Sequence, residues 1–249
     1  MDASTRPQSA YDQEAGAELA RWRERQVKPP GPWDRATREL QDSINRIIPE
    51  KVHAAVTVAI EQLTRGVMLG SDWVTAKPLI GADLAEREAK VRQRVKAYRV
   101  GAAAEGGVAG AGGFLMAAAD FPALMALKIK LLFDIAALYG HDPKDARERL
   151  FILTVFQLAF SSPRHRAKVF RDLELWQVRA EGLPADFEGF DWRAFQQEYR
   201  DYIDLAKLAQ LIPVVGAPIG AVVNWRLVDR LGETAMNAYR LRWFEETER

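Results

Sequence analysis

The chain has 249 residues, 48% hydrophobic and 28% charged, with a formal net charge of +1 at pH 7 and no cysteine. That balance supplies enough apolar chain for one sizeable core, and no global field draws a nucleic acid or an acidic substrate. The lack of cysteine excludes disulfides, thiolate nucleophiles and cysteine-ligated metals, and it fits a reducing compartment.

Residues 1–30 are polar, lack the apolar core of a secretory signal and end in the Pro/Gly punctuation of "VKPPGPWD". They read as a loosely attached N-terminal arm before a single helical domain over 31–249, in a cytoplasmic protein. Helical spacing prevails throughout and strand alternation is almost absent, so the fold class is all-α. Asp34 can cap a helix carrying Leu40, Ile44 and Ile47; another starts at Pro49, a proline suited to a first helical turn, and stops near Gly66. Asp83 then caps a helix over 84–99. Its apolar stripe is narrow (Leu84, Val91, Val95, Tyr98), and Arg87, Lys90, Arg92, Arg94, Lys96 and Arg99 crowd both flanks. Such a helix suits an anionic membrane surface or an acidic partner; the same pattern also describes a surface helix with a solvated face.

Next comes "GGVAGAGGFLMAAAD", whose 14 residues Gly106–Ala119 carry no charge. That is short of the ~20 residues that span a bilayer core. It matches neither GxGxxG nor GxxxxGK[ST], and no strand precedes it, so it is not a phosphate loop. On a helix Gly106, Gly110 and Gly113 share a face. A second uncharged run, the 18 residues Leu208–Trp225, places Gly216 four residues before Gly220 and is interrupted by Pro213 and Pro218. Glycine in a helix costs ~0.5–1 kcal/mol relative to alanine, so close helix crossing or a lipid environment must offset so many. Both uses stay open.

From Pro122 a central helix carries Leu124, Leu127, Leu131, Ile135 and Leu138 at steps of three and four, with Met125, Ile129, Leu132, Phe133 and Ala136 coating much of the rest. Gly140 terminates it. Asp142 and Pro143 read as N-cap and first residue of the next helix, which holds Leu150, Ile152, Val155, Leu158 and Phe160. Over 161–190 the pattern weakens and reads as a surface excursion. A polar helix follows over 191–212. In the closing helix Val228, Leu231, Ala235, Ala238 and Leu241 fall on one face.

No pattern marks a reaction. His53, His141 and His165 are far apart and none belongs to HExxH; GxSxG is absent. No catalytic, metal or cofactor-binding residue is nominated, and no cofactor is expected.

The stretch Gly101–Leu153, with a Gly/Ala-rich segment, Asp120-Phe121-Pro122, a long apolar helix containing Ala136, then Tyr139-Gly140-His141-Asp142-Pro143 and Glu148-Arg149, resembles the core of the EcsC protein family. "LIPVVGAPIGAVVNWRLVDRLGETAMNAYRLR" (Leu211–Arg242) is similar to that family's closing segment. His141 stands where the family pattern leads one to expect an aromatic. The family takes its name from a protein encoded beside the components of an ABC transporter. The resemblance therefore implies a bacterial, cytoplasmic protein linked to membrane transport, and it brings no catalytic residues. Two functions follow. The first is a non-enzymatic accessory protein, peripheral on the cytoplasmic membrane face, touching the membrane surface or a membrane-protein partner such as an ABC transporter. Its contacts would be Arg87, Lys90, Arg94, Lys96, Gly106, Gly110, Gly113, Gly216 and Gly220. The second is an enzyme of unspecified reaction, its pocket lined by Asp120, Tyr139, Asp142 and Arg149.

Overall fold

The computed structural model describes residues 9–28, 58, 62, 65–67, 77–111, 113–161, 165–182 and 217–247, the backbone alone over 102–111, 113–124 and 217–224. The helices are α1 (Ala10–Val27), α2 (Leu84–Ala111), α3 (Gly113–Leu138), α4 (Ala146–Phe160), α5 (Arg166–Glu174), α6 (Trp176–Glu181) and α7 (Ala217–Thr247). Val58, Gln62 and Arg65–Val67 are also helical, and no strand occurs among the described residues. The helices expected after Asp34 and over 191–212, and most of the one beginning at Pro49, lie outside the described residues.

Helix α1 replaces the loosely attached arm. Ser9 Oγ accepts from the Asp12 amide at 3.1 Å while Asp12 Oδ2 accepts from the Ser9 amide at 2.8 Å, a capping box that satisfies donors at the helix start. Ala15, Leu19 and Trp22 are buried, and Trp22 meets Phe170 of α5 edge-on at 5.4 Å. The spacing i, i+4, i+7 docks a mostly polar helix through one thin stripe.

Helix α2 is the hub. It forms an antiparallel hairpin with α3, since Tyr98 pairs with Asp134 and Glu88 with Tyr139. It also runs antiparallel to α7, since Arg99 meets Asp229, Val95 meets Gly232 and Glu88 meets Arg240. A Cβ at Gly232 would stand 2.7 Å from Val95 Cγ2, so the helices touch where α7 has no side chain. Leu84, Val91 and Val95 of α2, and Val228, Leu231, Ala235, Ala238 and Leu241 of α7, are all buried on the stripes read from spacing.

Helix α3 begins at Gly113 rather than near Pro122, and Pro122 lies inside it. The Gly/Ala run is thus helical on both sides of residue 112. Helix α4 packs against α3 and α7, and every residue from Leu150 to Phe160 is buried. The expected surface excursion over 161–190 contains α5 and α6 instead, with Val169, Phe170, Leu173 and Trp176 in the core.

Candidate functional site

The turn after α3 carries the Tyr-Gly-x-Asp-Pro element. Gly140 sits at φ +92°. Its amide donates to Ala137 O, and the His141 amide to Ala136 O, both at 3.0 Å. This is the paired C-terminal closure that needs a left-handed residue, which glycine adopts without strain. A Cβ there would also lie 2.7 Å from Arg87 Nη1. Arg87, expected on the solvated flank of α2, is buried: Nε donates to Ala82 O at 2.9 Å, and Nη1 to Leu79 O at 2.7 Å and Leu138 O at 3.1 Å. The α4 cap is Asp145, whose Oδ1 accepts from the Arg147 amide at 2.8 Å. Asp142, read from sequence as that cap, braces the preceding turn through the Lys144 amide at 2.9 Å. Arg149 Nε donates to Pro143 O at 3.1 Å.

Two buried ion clusters adjoin this turn. Glu88 is fully buried, yet both its oxygens are occupied. Oε1 accepts from Arg240 Nε at 2.6 Å and Tyr139 Oη at 3.1 Å. Oε2 accepts from Arg240 Nη2 at 2.6 Å, Tyr11 Oη at 2.5 Å and Arg92 Nη2 at 3.2 Å. A carboxylate taken out of water is tolerated only with this degree of satisfaction. One so saturated holds helices together and has no lone pair to spare for proton abstraction. Burial opposes the charge on Arg240, but its bonds to Glu88 and Glu18 outweigh this and raise its pKa.

In the second cluster Glu148 Oε1 accepts from Tyr239 Oη at 2.5 Å and Oε2 from Arg242 Nη1 at 2.6 Å. Tyr239 stacks on Tyr139 at 5.1 Å and on His141 at 5.3 Å, which joins the two clusters. Burial, reinforced by the neighbouring carboxylates, pushes both tyrosines well above their ordinary range and keeps them donors. Burial also lowers His141 to about 4; Arg242 and Arg87 act in the same direction and Glu148 opposes them. The ring is therefore neutral at pH 7, Nδ1 accepts from Arg242 Nη2 at 2.9 Å, and the 3.9 Å approach to Glu148 is not an ion pair.

Of the four polar residues nominated for an enzyme pocket, the three whose side chains are described are not gathered into one cavity. Tyr139 points at Glu88, Asp142 and Arg149 brace the turn into α4, and the Asp120 side chain lies outside the described residues. Two open grooves flank α2, of about 740 and 430 Å³, and none of Tyr139, Asp142 or Arg149 lines either. Of the nominated membrane contacts, Lys90 is exposed and pairs with Glu86 at 2.7 Å, and Arg94 is exposed beside Asp134 at 3.5 Å. Lys96 is exposed with no carboxylate partner among the described residues. Gly106, Gly110, Gly113 and Gly220 are helical, while Gly216 lies outside the described residues.

Sequence reading passed over Glu88, Tyr239, Arg240 and Arg242, and it gave Glu148 a place in the family pattern but no role. One signal was available: position 88 falls on the stripe of Leu84, Val91 and Val95, where a carboxylate must be buried and partnered.

Fold and site together define an all-α helical bundle locked by buried arginine–carboxylate–tyrosine clusters at one helix junction. A family model for the EcsC protein family matches residues 13–244, and the chain belongs to that family. It is 41% identical over 231 residues to Protein EcsC of Bacillus subtilis (strain 168), covering 92% of this chain and 95% of that protein. It is 35% identical over 154 residues to the uncharacterized protein YdbA of the same strain, covering 59% of this chain and 56% of that protein. No solved structure matches it significantly.

Proposed function

We propose that the protein is a non-enzymatic accessory protein, peripheral on the cytoplasmic face of the membrane, whose uncharged helix ends meet the lipid. The observation that supports this most directly is the register of the α2–α7 pair. Arg99 opposite Asp229 and Glu88 opposite Arg240 define that register. Continued along both helices, it carries Gly220 to the level of Val108. Helix α3 rises from the same end. The uncharged residues of α2, of the α3 start and of the α7 start therefore share one end of the bundle.

At the border of that end Arg99 lies over the Trp225 ring at 3.9 Å, and Trp225 is 38% exposed. Tryptophan with a neighbouring cation favours the membrane–water interface. Among the described residues no helix is long and apolar enough to cross a membrane. Insertion of the tip into the interface, aided by Lys96 one turn below its border, suffices for reversible association; Lys90 and Arg94 lie farther down α2 and add only weak long-range attraction. A membrane-transport protein as partner rests on the resemblance to a family named for a neighbour of ABC-transporter components.

The chain has no cysteine. A single Val108→Cys variant therefore takes an environment-sensitive dye cleanly. Its emission should shift to the blue on vesicles of phosphatidylcholine with phosphatidylglycerol, and a dye on Lys144→Cys should not. Equal shifts at both positions, or none, would remove the proposal.

A further inference from the structure

The groove of about 740 Å³ between α1, α2 and α7 has a charge pattern that the ion clusters do not use up. Six cationic side chains line it against three carboxylates. Each carboxylate already has an arginine: Glu233 pairs with Arg25 at 3.0 Å, Asp229 with Arg99 at 2.9 Å and Glu18 with Arg240 at 2.8 Å. Arg92 is shared between Tyr11 and Glu88. Arg21 on α1 and Lys96 on α2 remain, both exposed and both without a carboxylate partner among the described residues.

The arrangement is costly as it stands. Arg21 lies one helical turn from Arg25, and Lys96 one turn from Arg92, and like charges at that spacing repel. Two cationic helix faces thus look across one concavity, and its floor includes the tight contact of Gly232 with Val95. An anion between them would relieve both repulsions. A single small ion underfills a space of this size, which lies in the range of sites for ordinary organic ligands. Guanidinium forks match phosphate oxygens two at a time, and a lysine adds a point charge.

We propose that this groove binds a phosphate-bearing anionic ligand, held by Arg21 and Lys96 together with Arg92. The ligand is either a soluble phosphate ester or the headgroup of an anionic phospholipid. The groove begins where Arg99 marks the border of the uncharged end, so a headgroup there would have its chains beside that end. Binding in the groove does not depend on the membrane reading.

Because Arg21 and Lys96 carry no ion pair among the described residues, Arg21→Ala/Lys96→Ala should unfold at the parent's temperature. Lys28→Ala/Lys144→Ala removes the same charge outside the groove. Calorimetric titration with inorganic pyrophosphate and co-sedimentation with phosphatidylglycerol vesicles are run on the parent and both variants. If the ligand is soluble, pyrophosphate binds the parent and the groove variant weakens it at least tenfold, while the control pair does not. If it is a headgroup, vesicle binding shows that same dependence. Parent binding that neither variant changes, equal losses in both, or no binding of either probe overturns the groove. Vesicle binding kept in the groove variant, with pyrophosphate ignored, overturns the groove but leaves the uncharged tip as membrane contact. Groove-dependent pyrophosphate binding without vesicle binding does the reverse.

Discussion

Arg240 and Glu88, 152 positions apart, face each other fork to fork, with Nε on Oε1 and Nη2 on Oε2, both at 2.6 Å. Removing one partner strands the other's charge in the core. Glu88→Ala or Arg240→Ala should each cost about 3–5 kcal/mol in urea unfolding. Glu88→Leu/Arg240→Met should cost clearly less than the sum of the single losses, because no buried charge is left unpaired; Glu18 and Arg92, which lose a partner, both reach water. Additive costs would show that the pair is not coupled.

His141 makes stability depend on pH in a defined window. Its folded pKa of about 4 lies below the 6.5 of the free side chain, so the unfolded chain binds more protons between those values. The contribution is complete above pH 6.5 and is lost as pH falls toward 4. The shift corresponds to about 3 kcal/mol at most. His141→Phe keeps an aromatic against Tyr239 and abolishes the titration. The difference in stability between parent and variant should therefore move against the parent from pH 7 to pH 4, and a pH-independent difference would contradict the assignment.

Gly232 and Val95 form a contact that cannot absorb a methyl group. Gly232→Ala should destabilise by about 1–3 kcal/mol. Adding Val95→Ala, which clears the space, should recover much of that loss. A double variant as unstable as the summed singles would place the strain elsewhere.

Glycine at 140 meets two demands at once, a positive φ and the Arg87 guanidinium at its Cα. Gly140→Ala should cost about 2–4 kcal/mol, since backbone strain and overpacking combine. Denaturation of Gly81→Ala is the comparison. Gly81 also has a positive φ but meets nothing within 4 Å, so only the strain should register.

Gly110→Leu tests whether the small-residue end of α2 is packed against a helix. A loss of about 3 kcal/mol or more is expected if it is, because close backbones cannot admit a leucine. Gly182→Leu should be nearly silent, its Cβ meeting only Arg179 O at 3.6 Å. Unchanged melting for both, with vesicle binding lost in the first alone, would assign the glycine to lipid.

What could be read from the chain was what burial imposes locally. The stripes of α2 and α7 follow the 3.6-residue period, and Gly140 ends α3 because the turn needs a left-handed residue. Helix α1 was missed because its three buried residues, Ala15, Leu19 and Trp22, are diluted among polar ones. Arg87 looked solvated because a charge beside an apolar stripe usually is; only the turn at Leu79–Ala82 and the end of α3 supply the carbonyls that bury it. The pairs at the heart of the two clusters, Glu148 with Tyr239 and Glu88 with Arg240, join residues 91 and 152 positions apart. No spacing rule reaches so far.

Helix α7 follows every other described helix in chain order, yet it supplies the arginine for Glu88 and, through Arg240, ties it to Glu18, 222 residues upstream. A nascent chain can wind α2 and α3 into their hairpin early, from neighbours in sequence. It cannot close the core until α7 has cleared the ribosome. Until then α2 exposes the Val91 and Val95 stripe, with the Glu88 carboxylate lacking its fork. Commitment to the native state is thus deferred until α7 is made, and a chaperone that shields α2 during that interval would act on a loop closure that spans most of the described helices.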